Sequence, residues 1–261
     1  MEDNQRNQED LSKSLIDLYT NNYNKLYACV YRMTGNHQDA EDILQNSFIK
    51  AYQKLDLFKG NAKLYTWVYR IVMNESFRYF EYIKKLPLIR ITEELGVSES
   101  EFLDSLTFEP NLEDHLIVEE MREKCLQGFL KCLPRKQRVC FLFKNLLELE
   151  NRDIAEILDI SVDNVKVTLH RGRKRLQEMF EMRCNLIDPD KPCKCHLWIK
   201  YMKDHNLPIP EGYQQVKSED LKQEYFKNLN TLHKIEYLYH AQARITKDEF
   251  LEKLRRVAEI L

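Results

Sequence analysis

The stretch RDIAEILDISVDNVKVTLHRGRKRLQEMF, Arg152 to Phe180, reads as a short helix, a tight turn and a longer second helix whose far half is basic. In the first helix Ile154, Ala155 and Leu158 fall at spacings that share a helical face, and Ala155 is small enough for a second helix to cross closely. Asp159 stands where such turns commonly need a positive φ, which Asp tolerates better than most residues after glycine and Asn. Ser161 is placed to cap the next helix. At about 100° per residue, Val165, Leu169, Gly172 and Leu176 gather on one inward face and leave Asp163, Val167, His170 and Lys174 opposite. Asn164 and Arg171 flank the outward face on one side, Lys166 and Arg173 on the other. Residues 161–175 carry five Lys or Arg and one acid. That excess favours a recognition helix, with early residues on base edges and later cations on phosphates, over an amphipathic core helix with a solvated charged face.

The rest of the chain bounds this reading. Its 261 residues suffice for one large core or for two or three small domains. A net charge of −2 argues against a nucleic-acid partner only if the charge is evenly spread, and it is not. Residues 92–123 hold eleven acids and one Arg, whereas residues 63–90 hold six cations and two acids, so the average conceals the electrostatics. Seven cysteines with neither a signal-like apolar stretch nor a bilayer-length apolar run predict a reducing compartment, the cytoplasm, and no membrane association. With only six Gly and seven Pro, the expected fold is all-α and multidomain.

In the N-terminal part, Leu15, Leu18, Tyr19, Leu26, Tyr27 and Val30 recur at helical spacing until Gly35-Asn36 ends the run. A second helix should begin after Asn36, with acids in its first turn where the helix dipole favours them and an apolar stripe of Ile43, Leu44, Phe48, Ala51, Tyr52 and Leu55. After the break at Phe58-Lys59-Gly60-Asn61, KLYTWVYRIVMNESFRYFEYIKK, Lys63 to Lys85, predicts a third helix crowded with aromatics and cations. Trp67, Ile71 and Phe77 suit a core. The interleaved Tyr65, Tyr69, Arg70, Asn74, Arg78, Lys84 and Lys85 also suit stacking and phosphate contact with unpaired bases.

Taken in order, these segments resemble the bacterial sigma-70 family of RNA polymerase initiation factors, in its extracytoplasmic-function group. DAEDILQNSFIKAYQKLDLF, Asp39 to Phe58, is similar to the family's core-polymerase-binding region, and WVYRIVMN, Trp67 to Asn74, to its promoter-melting helix. LPRKQRVCFLF, Leu133 to Phe143, followed by the helix-turn-helix, is similar to its domain for the minus-thirty-five element. The resemblance implies a domain over residues 11–85, an acidic linker over 86–124, a helix-turn-helix domain over 125–182 and an extension over 183–261. It implies that Asp39, Glu41, Asp42, Gln45 and Phe48 meet core polymerase. Phe58, Asn61, Lys63, Trp67, Arg70 and Asn74 would capture the minus-ten strands of promoter DNA. Ser161, Asp163, Asn164, Lys166, Val167, Thr168, Arg171, Arg173 and Lys174 would read the minus-thirty-five element. Such a factor is not an enzyme and requires no cofactor. The chain departs from the family where Arg78-Tyr79-Phe80-Glu81-Tyr82 replaces an acid and a run of arginines, and where Thr168 replaces a cation. A helix-turn-helix regulator that binds duplex DNA without polymerase, and a metal- or redox-sensing interaction protein, are the competing classes.

The linker, punctuated by Pro87, Gly96 and Pro110 and holding scattered apolars such as Leu103, Leu106 and Phe108, predicts a solvated tether. The extension opens on Cys184, Cys193, Cys195 and His196, three thiols and an imidazole that could serve zinc, against the plainer reading of packed, reduced thiols. His205 is an alternative fourth ligand. Pro208 and Pro210 should end this knot. Two helices should follow, about 218–243 with Leu221, Tyr225, Leu229 and Leu232 on a stripe, and about 247–260, capped by Thr246 and Glu249. The resemblance extends to subgroup members with such an extension; its position and amphipathic faces predict intramolecular regulation, by docking on the other two domains, in place of, or beside, a separate anti-sigma protein.

Overall fold

The structure is a computed structural model and describes residues 2–109, 114–207 and 224–241. These residues form α1 (Glu2–Thr34), α2 (His37–Gln53), α3 (Leu64–Ser76), α4 (Pro87–Leu95), α5 (Glu99–Ser105), α6 (Asp114–Lys131), α7 (Arg135–Asn145), α8 (Asn151–Leu158), α9 (Val162–Arg183), α10 (Leu197–Asp204), α11 (Glu224–Asn228) and α12 (Thr231–Ala241). Among them there is no strand, only an isolated bridge between Cys184 and Cys193, so the all-α expectation stands. Contacts divide the chain into two compact units, the described residues of 1–81 and 139–168 making one, and those of 82–138 and 169–242 the other.

In the first unit, α1 ends where Gly35 takes φ +80, a conformation that costs glycine little. Asn36 then caps α2, its side chain accepting from the Asp39 N–H at 3.0 Å. The expected stripes meet: Leu15, Tyr19, Leu26 and Val30 of α1, Ile43, Leu44, Phe48 and Ala51 of α2, and Val68, Val72 and Met73 of α3 are all buried. Tyr19 and Phe48 pack edge to face at 4.9 Å. The end of α7 and the turn after it join this core, Phe143 and Leu147 lining a small apolar cavity with Leu26, Val30, Tyr69 and Val72. The third helix is shorter than expected, because α3 stops at Ser76 and a single 3-10 turn covers Phe77–Tyr79. There the Ser76 hydroxyl turns back onto the Val72 carbonyl at 2.8 Å, the local competition that weakens helices at serine.

The second unit corrects the expectation of a tether. Residues 86–105 fold into two helices: α4, with Pro87 in its first turn and Gly96 at φ +69 behind it, and α5, started by a reciprocal Ser98–Glu101 capping box. Leu88, Phe102, Leu103 and Leu106 bury against Leu197, with Ile91, Cys193, Trp198 and Tyr201 packed around them. The apolars that look scattered in sequence are one half of a core whose other half lies about ninety residues on. Arg183 fixes the arrangement with two hydrogen bonds to the Glu99 carboxylate, at 2.7 and 2.9 Å.

Elsewhere in the same unit Phe180 stacks on Phe129 at 4.0 Å and meets Tyr239 edge on. The Tyr239 hydroxyl donates to the Leu126 carbonyl at 2.8 Å, and Ile235 and Leu238 are buried beside it. The helix expected over 218–243 is interrupted, α11 and α12 being separated at Leu229-Asn230, because the Asn230 side chain accepts from the His233 N–H and starts a new helix. Leu221, Pro208, Pro210 and the expected final helix with its Thr246–Glu249 box lie outside the described residues.

Candidate nucleic-acid interface

Helices α8 and α9 form the expected helix-turn-helix, and the turn is made as its chemistry suggests. Asp159 adopts φ +52 and ends α8, and the Ser161 hydroxyl accepts from the Asn164 N–H at 3.1 Å to start α9. Val165, Leu169, Gly172 and Leu176 are all buried, and Asp163, Val167, His170 and Lys174 are all exposed. Gly172 marks a close approach to α7: a Cβ there would lie 3.3 Å from the Cβ of Gln137, so a larger residue would need that neighbour to give by a few tenths of an ångström. In α8, Ile157 is buried where Leu158 was expected, and Leu158 is half-buried.

The outward side of α9 is partly pre-arranged. Lys166 pairs with Asp163 at 2.9 Å, and the Thr168 hydroxyl donates to the Asn164 side-chain oxygen at 3.1 Å, steadying an amide that could face a base edge. Val167 is 47% exposed, an apolar contact at the middle of the face. Arg171 is exposed and makes no ion pair among the described residues. Lys174 is exposed, 3.9 Å from Glu178. Arg173 is held by Glu236 of α12 at 2.8 Å, a partner that only the folded extension could supply.

The residues matched to minus-ten capture also gather. Gly60 turns the loop after α2 at φ +71, and Phe58 packs against Trp67 with ring centroids 5.5 Å apart, both half-buried. Asn61, Lys63, Arg70 and Asn74 are exposed along the loop and α3. Two of them are engaged by α8. Lys63 Nζ lies 3.1 Å from the Asp153 carboxylate, and the Arg70 guanidinium donates to the Glu156 carbonyl. The Thr66 hydroxyl donates to the Glu156 carboxylate at 3.1 Å. Burial pushes the Asp153 carboxyl up, but hydrogen bonds from Tyr65 and Lys63 and the charge of Lys63 outweigh it and hold it below the usual carboxylate range. Sequence reasoning missed Asp153 and Glu156, which read only as polar members of a short helix.

On α2, Asp39, Glu41, Asp42 and Gln45 are half-buried at the surface, with Asp42 accepting from the Gln38 amide at 3.1 Å. Phe48, grouped with them in sequence, is fully buried against Tyr19 and belongs to the core, because an unshielded ring on that stripe gains most from burial.

Cys184 and Cys193 face each other in the parallel bridge, Asn185 donating its N–H to the Cys193 carbonyl at 3.2 Å. Burial pushes the Cys184 thiol up to about 11, against the Leu186 and Ile187 N–H groups that favour its thiolate. Burial, then the charges of Cys184 and Cys193, push Cys195 up to about 12. The further thiol in this set is Cys125 of α6, raised by burial and by Cys195, Cys193 and Cys184. His196, just before α10, is lowered by its own burial and by Lys194. Among the described residues no group of three or more His, Cys, Asp or Glu is placed to hold a metal ion.

Comparison with known proteins finds two regions of one family on the chain. Residues 18–85 match the family description Sigma-70 region 2, and residues 123–176 match Sigma-70, region 4. The chain is 35% identical over 174 residues to the ECF RNA polymerase sigma factor SigW of Bacillus subtilis, covering 66% of this chain and 90% of that protein. It is 30% identical over 143 residues to the ECF RNA polymerase sigma-E factor of Escherichia coli K12, covering 55% of this chain and 74% of that one. Among solved structures, CnrH in complex with the cytosolic domain of CnrY superposes with a TM-score of 0.47 at 14% identity, over 67% of this chain and 94% of that one. With regions 2 and 4 in this order and a relative matched at 35% identity over 90% of its length, the chain belongs to the sigma-70 family, as an ECF RNA polymerase sigma factor carrying a cysteine-containing helical extension.

Proposed function

We propose that this sigma factor directs core RNA polymerase to its promoters through three surfaces. The half-buried acids of α2, Asp39, Glu41 and Asp42, with Gln45, dock on core polymerase. The Phe58–Trp67 pair, with Asn61, Lys63, Arg70 and Asn74, takes the minus-ten strands as they separate, aromatic faces receiving bases and cations receiving phosphates. Helix α9 lies in the major groove of the minus-thirty-five element. There Asn164, Val167 and Thr168 meet base edges, Ser161 and Asp163 sit at the entry, and Lys166, Arg171, Arg173 and Lys174 meet phosphates. Strand separation costs a few kcal/mol per base step, which these contacts and the polymerase supply without covalent chemistry. The chain therefore acts as a non-enzymatic initiation factor, needs no cofactor, and works in the cytoplasm beside the polymerase. Among the described residues no helix is long and apolar enough to cross a membrane.

The observation that carries the reading is the clean division of α9 into a buried apolar face and an exposed polar one. Purified full-length protein added to core polymerase and a library of promoter fragments should yield promoter-specific transcripts. Their absence would overturn the reading. The extension acts from within, α12 packing beside Phe180 and holding Arg173 through Glu236. Glu236→Gln should strengthen binding to the minus-thirty-five duplex by removing one charge that holds that arginine, whereas unchanged binding would leave the extension a purely structural role.

A further inference from the structure

Beyond α9 the chain turns back and pairs once with itself. The Cys193 N–H donates to the Arg183 carbonyl at 3.3 Å and the Asn185 N–H to the Cys193 carbonyl at 3.2 Å, the two bonds of a parallel bridge that sets Cys184 opposite Cys193. Paired strands lie about 4.8 Å apart and opposed side chains leave the same side, so the two Cα atoms fall within the roughly 4.4–6.8 Å that a disulfide spans. The register is held without help from sulfur. Between the two cysteines, the Asp188 N–H returns to the Cys184 carbonyl at 3.1 Å, the Lys191 N–H to the Asp188 carbonyl at 3.0 Å, and the Asn185 side-chain amide to the Pro189 carbonyl at 2.6 Å. Lys234 of α12 adds a hydrogen bond to the Ile187 carbonyl at 3.1 Å. The thiols are therefore brought together in advance, and joining them orders little that is not already ordered.

The two sulfurs differ in access, Cys184 being buried and Cys193 only half-buried. Burial pushes the Cys193 thiol up; the Trp198 N–H, buried with no oxygen or nitrogen acceptor, lies beside the sulfur and draws it back, and the charges of Glu99 and Arg183 oppose each other. Cys193 also packs against the core of Leu88, Phe102, Leu103, Leu106 and Leu197, and Arg183, one residue before Cys184, holds Glu99 of α5. The pair thus sits where the end of α9, the approach to α10 and the folded segment of α4 and α5 meet. It lies beyond both matched family regions and uses none of the residues assigned to polymerase or DNA.

We propose that Cys184 and Cys193 form a reversible disulfide by exchange with low-molecular-weight disulfides, and that the bond fastens α10, with the α4–α5 segment packed on it, to the end of α9. The Cys193 thiolate attacks one sulfur of the incoming disulfide, breaks its S–S bond and releases the first small thiolate, which takes up the proton that Cys193 gave up. The Cys184 thiolate then attacks the Cys193 sulfur of the mixed disulfide and releases the second small thiol in the same way. Two protein thiols are oxidised and one small disulfide is reduced to two thiols, which carry both protons. Where the surroundings keep thiols reduced the pair stays open, and it closes when that balance shifts. Closing this ten-residue loop removes freedom chiefly from the chain in which the region has opened, so the bond favours the folded arrangement.

The test equilibrates the full chain in buffers of reduced and oxidised glutathione, quenches in acid, alkylates in denaturant and maps the peptides by mass. A Cys184–Cys193 bond should form under the oxidising buffers, with Cys29, Cys125, Cys132 and Cys140 recovered as thiols. Cys195→Ser should leave that bond in place, and Cys193→Ser should abolish it. No intramolecular bond, or one that joins Cys184 or Cys193 to a different cysteine, would overturn the proposal, and the map of the parent chain decides this whether or not the variants fold. Amide hydrogen exchange then reads the fastening. Residues 87–105 and 197–204 should exchange about tenfold more slowly in the oxidised protein than in the reduced one. Equal exchange in the two forms would overturn the claim that the bond fastens α10.

Discussion

Helices α3 and α9 are both amphipathic, both cationic on one side and both matched to DNA contact, yet the fold treats their cations differently. On α9, Lys166, Arg171 and Lys174 face solvent, and among the described residues they form ion pairs at most with acids of their own helix. At α3, Lys63, just before the helix, and Arg70 within it are bound by groups 90 and 86 residues away. The difference teaches that helical spacing decides which face a side chain occupies, whereas its availability depends on what the rest of the chain brings to that face.

The comparison can be broken first at the packed side of α9. Phe180 is fully buried and stacked on Phe129, so Phe180→Ala should cost about 3–5 kcal/mol in urea unfolding. A loss below about 1 kcal/mol would mean that the far half of α9 is not held as described. Next comes the open side. Arg171→Ala with Lys174→Ala should lower affinity for the minus-thirty-five duplex about 10- to 100-fold and reduce the log–log salt slope by about two. The paired change Lys63→Ala with Arg70→Ala should weaken single-strand binding by the free protein far less, since α8 already holds those groups. Equal losses from both pairs would erase the distinction between the helices.

A smaller effect should appear in acid. Asp153 has its folded pKa depressed below the unfolded value of about 3.9, so its stabilisation is present above that value and lost as pH falls through the folded pKa. Asp153→Asn should therefore flatten the acid limb of the stability profile, measured by thermal unfolding from neutral pH downward, and an unchanged limb would deny the pairing with Lys63. The smallest effect concerns the thiols. Cys184 and Cys195, pushed up to about 11 and about 12, should alkylate much more slowly at pH 8 than a free cysteine of pKa about 8.5. Because their folded pKa values are raised, the stability that they contribute is complete below the unfolded pKa and declines as pH rises above about 9 toward the folded values. Rapid labelling of both thiols at pH 8 in folded protein would contradict their burial.

Much of this was legible in the chain. The four inward positions of α9, the αL turn at Asp159, the Ser161 cap and the Asn36 start of α2 depend on residues within a turn or two of each other, and each is found where the pattern places it. Phe48 shows the limit of motif reasoning, since the family resemblance grouped it with a docking surface whereas the apolar stripe it shares with Ile43 and Leu44 buries it against Tyr19. The region after Leu86 shows the limit of composition. Its acids suggest a tether, but Leu88, Phe102, Leu103 and Leu106 needed only a complementary surface, which Leu197 and Trp198 provide.

By itself, then, the sequence determined the helical class, the inward and outward faces of α9 and the order of the two sigma regions, because helix periodicity, capping and motif spacing are local properties. Only the tertiary structure decided that the linker is folded, that Cys125 joins the thiols of the extension, and that Lys63, Thr66 and Arg70 are taken by α8 while Arg173 is taken by Glu236. Those pairings join residues that no local pattern relates. A carboxylate or an apolar side chain finds its partner by where the chain folds back, and burial then fixes whether a charged group is free to meet DNA or already satisfied.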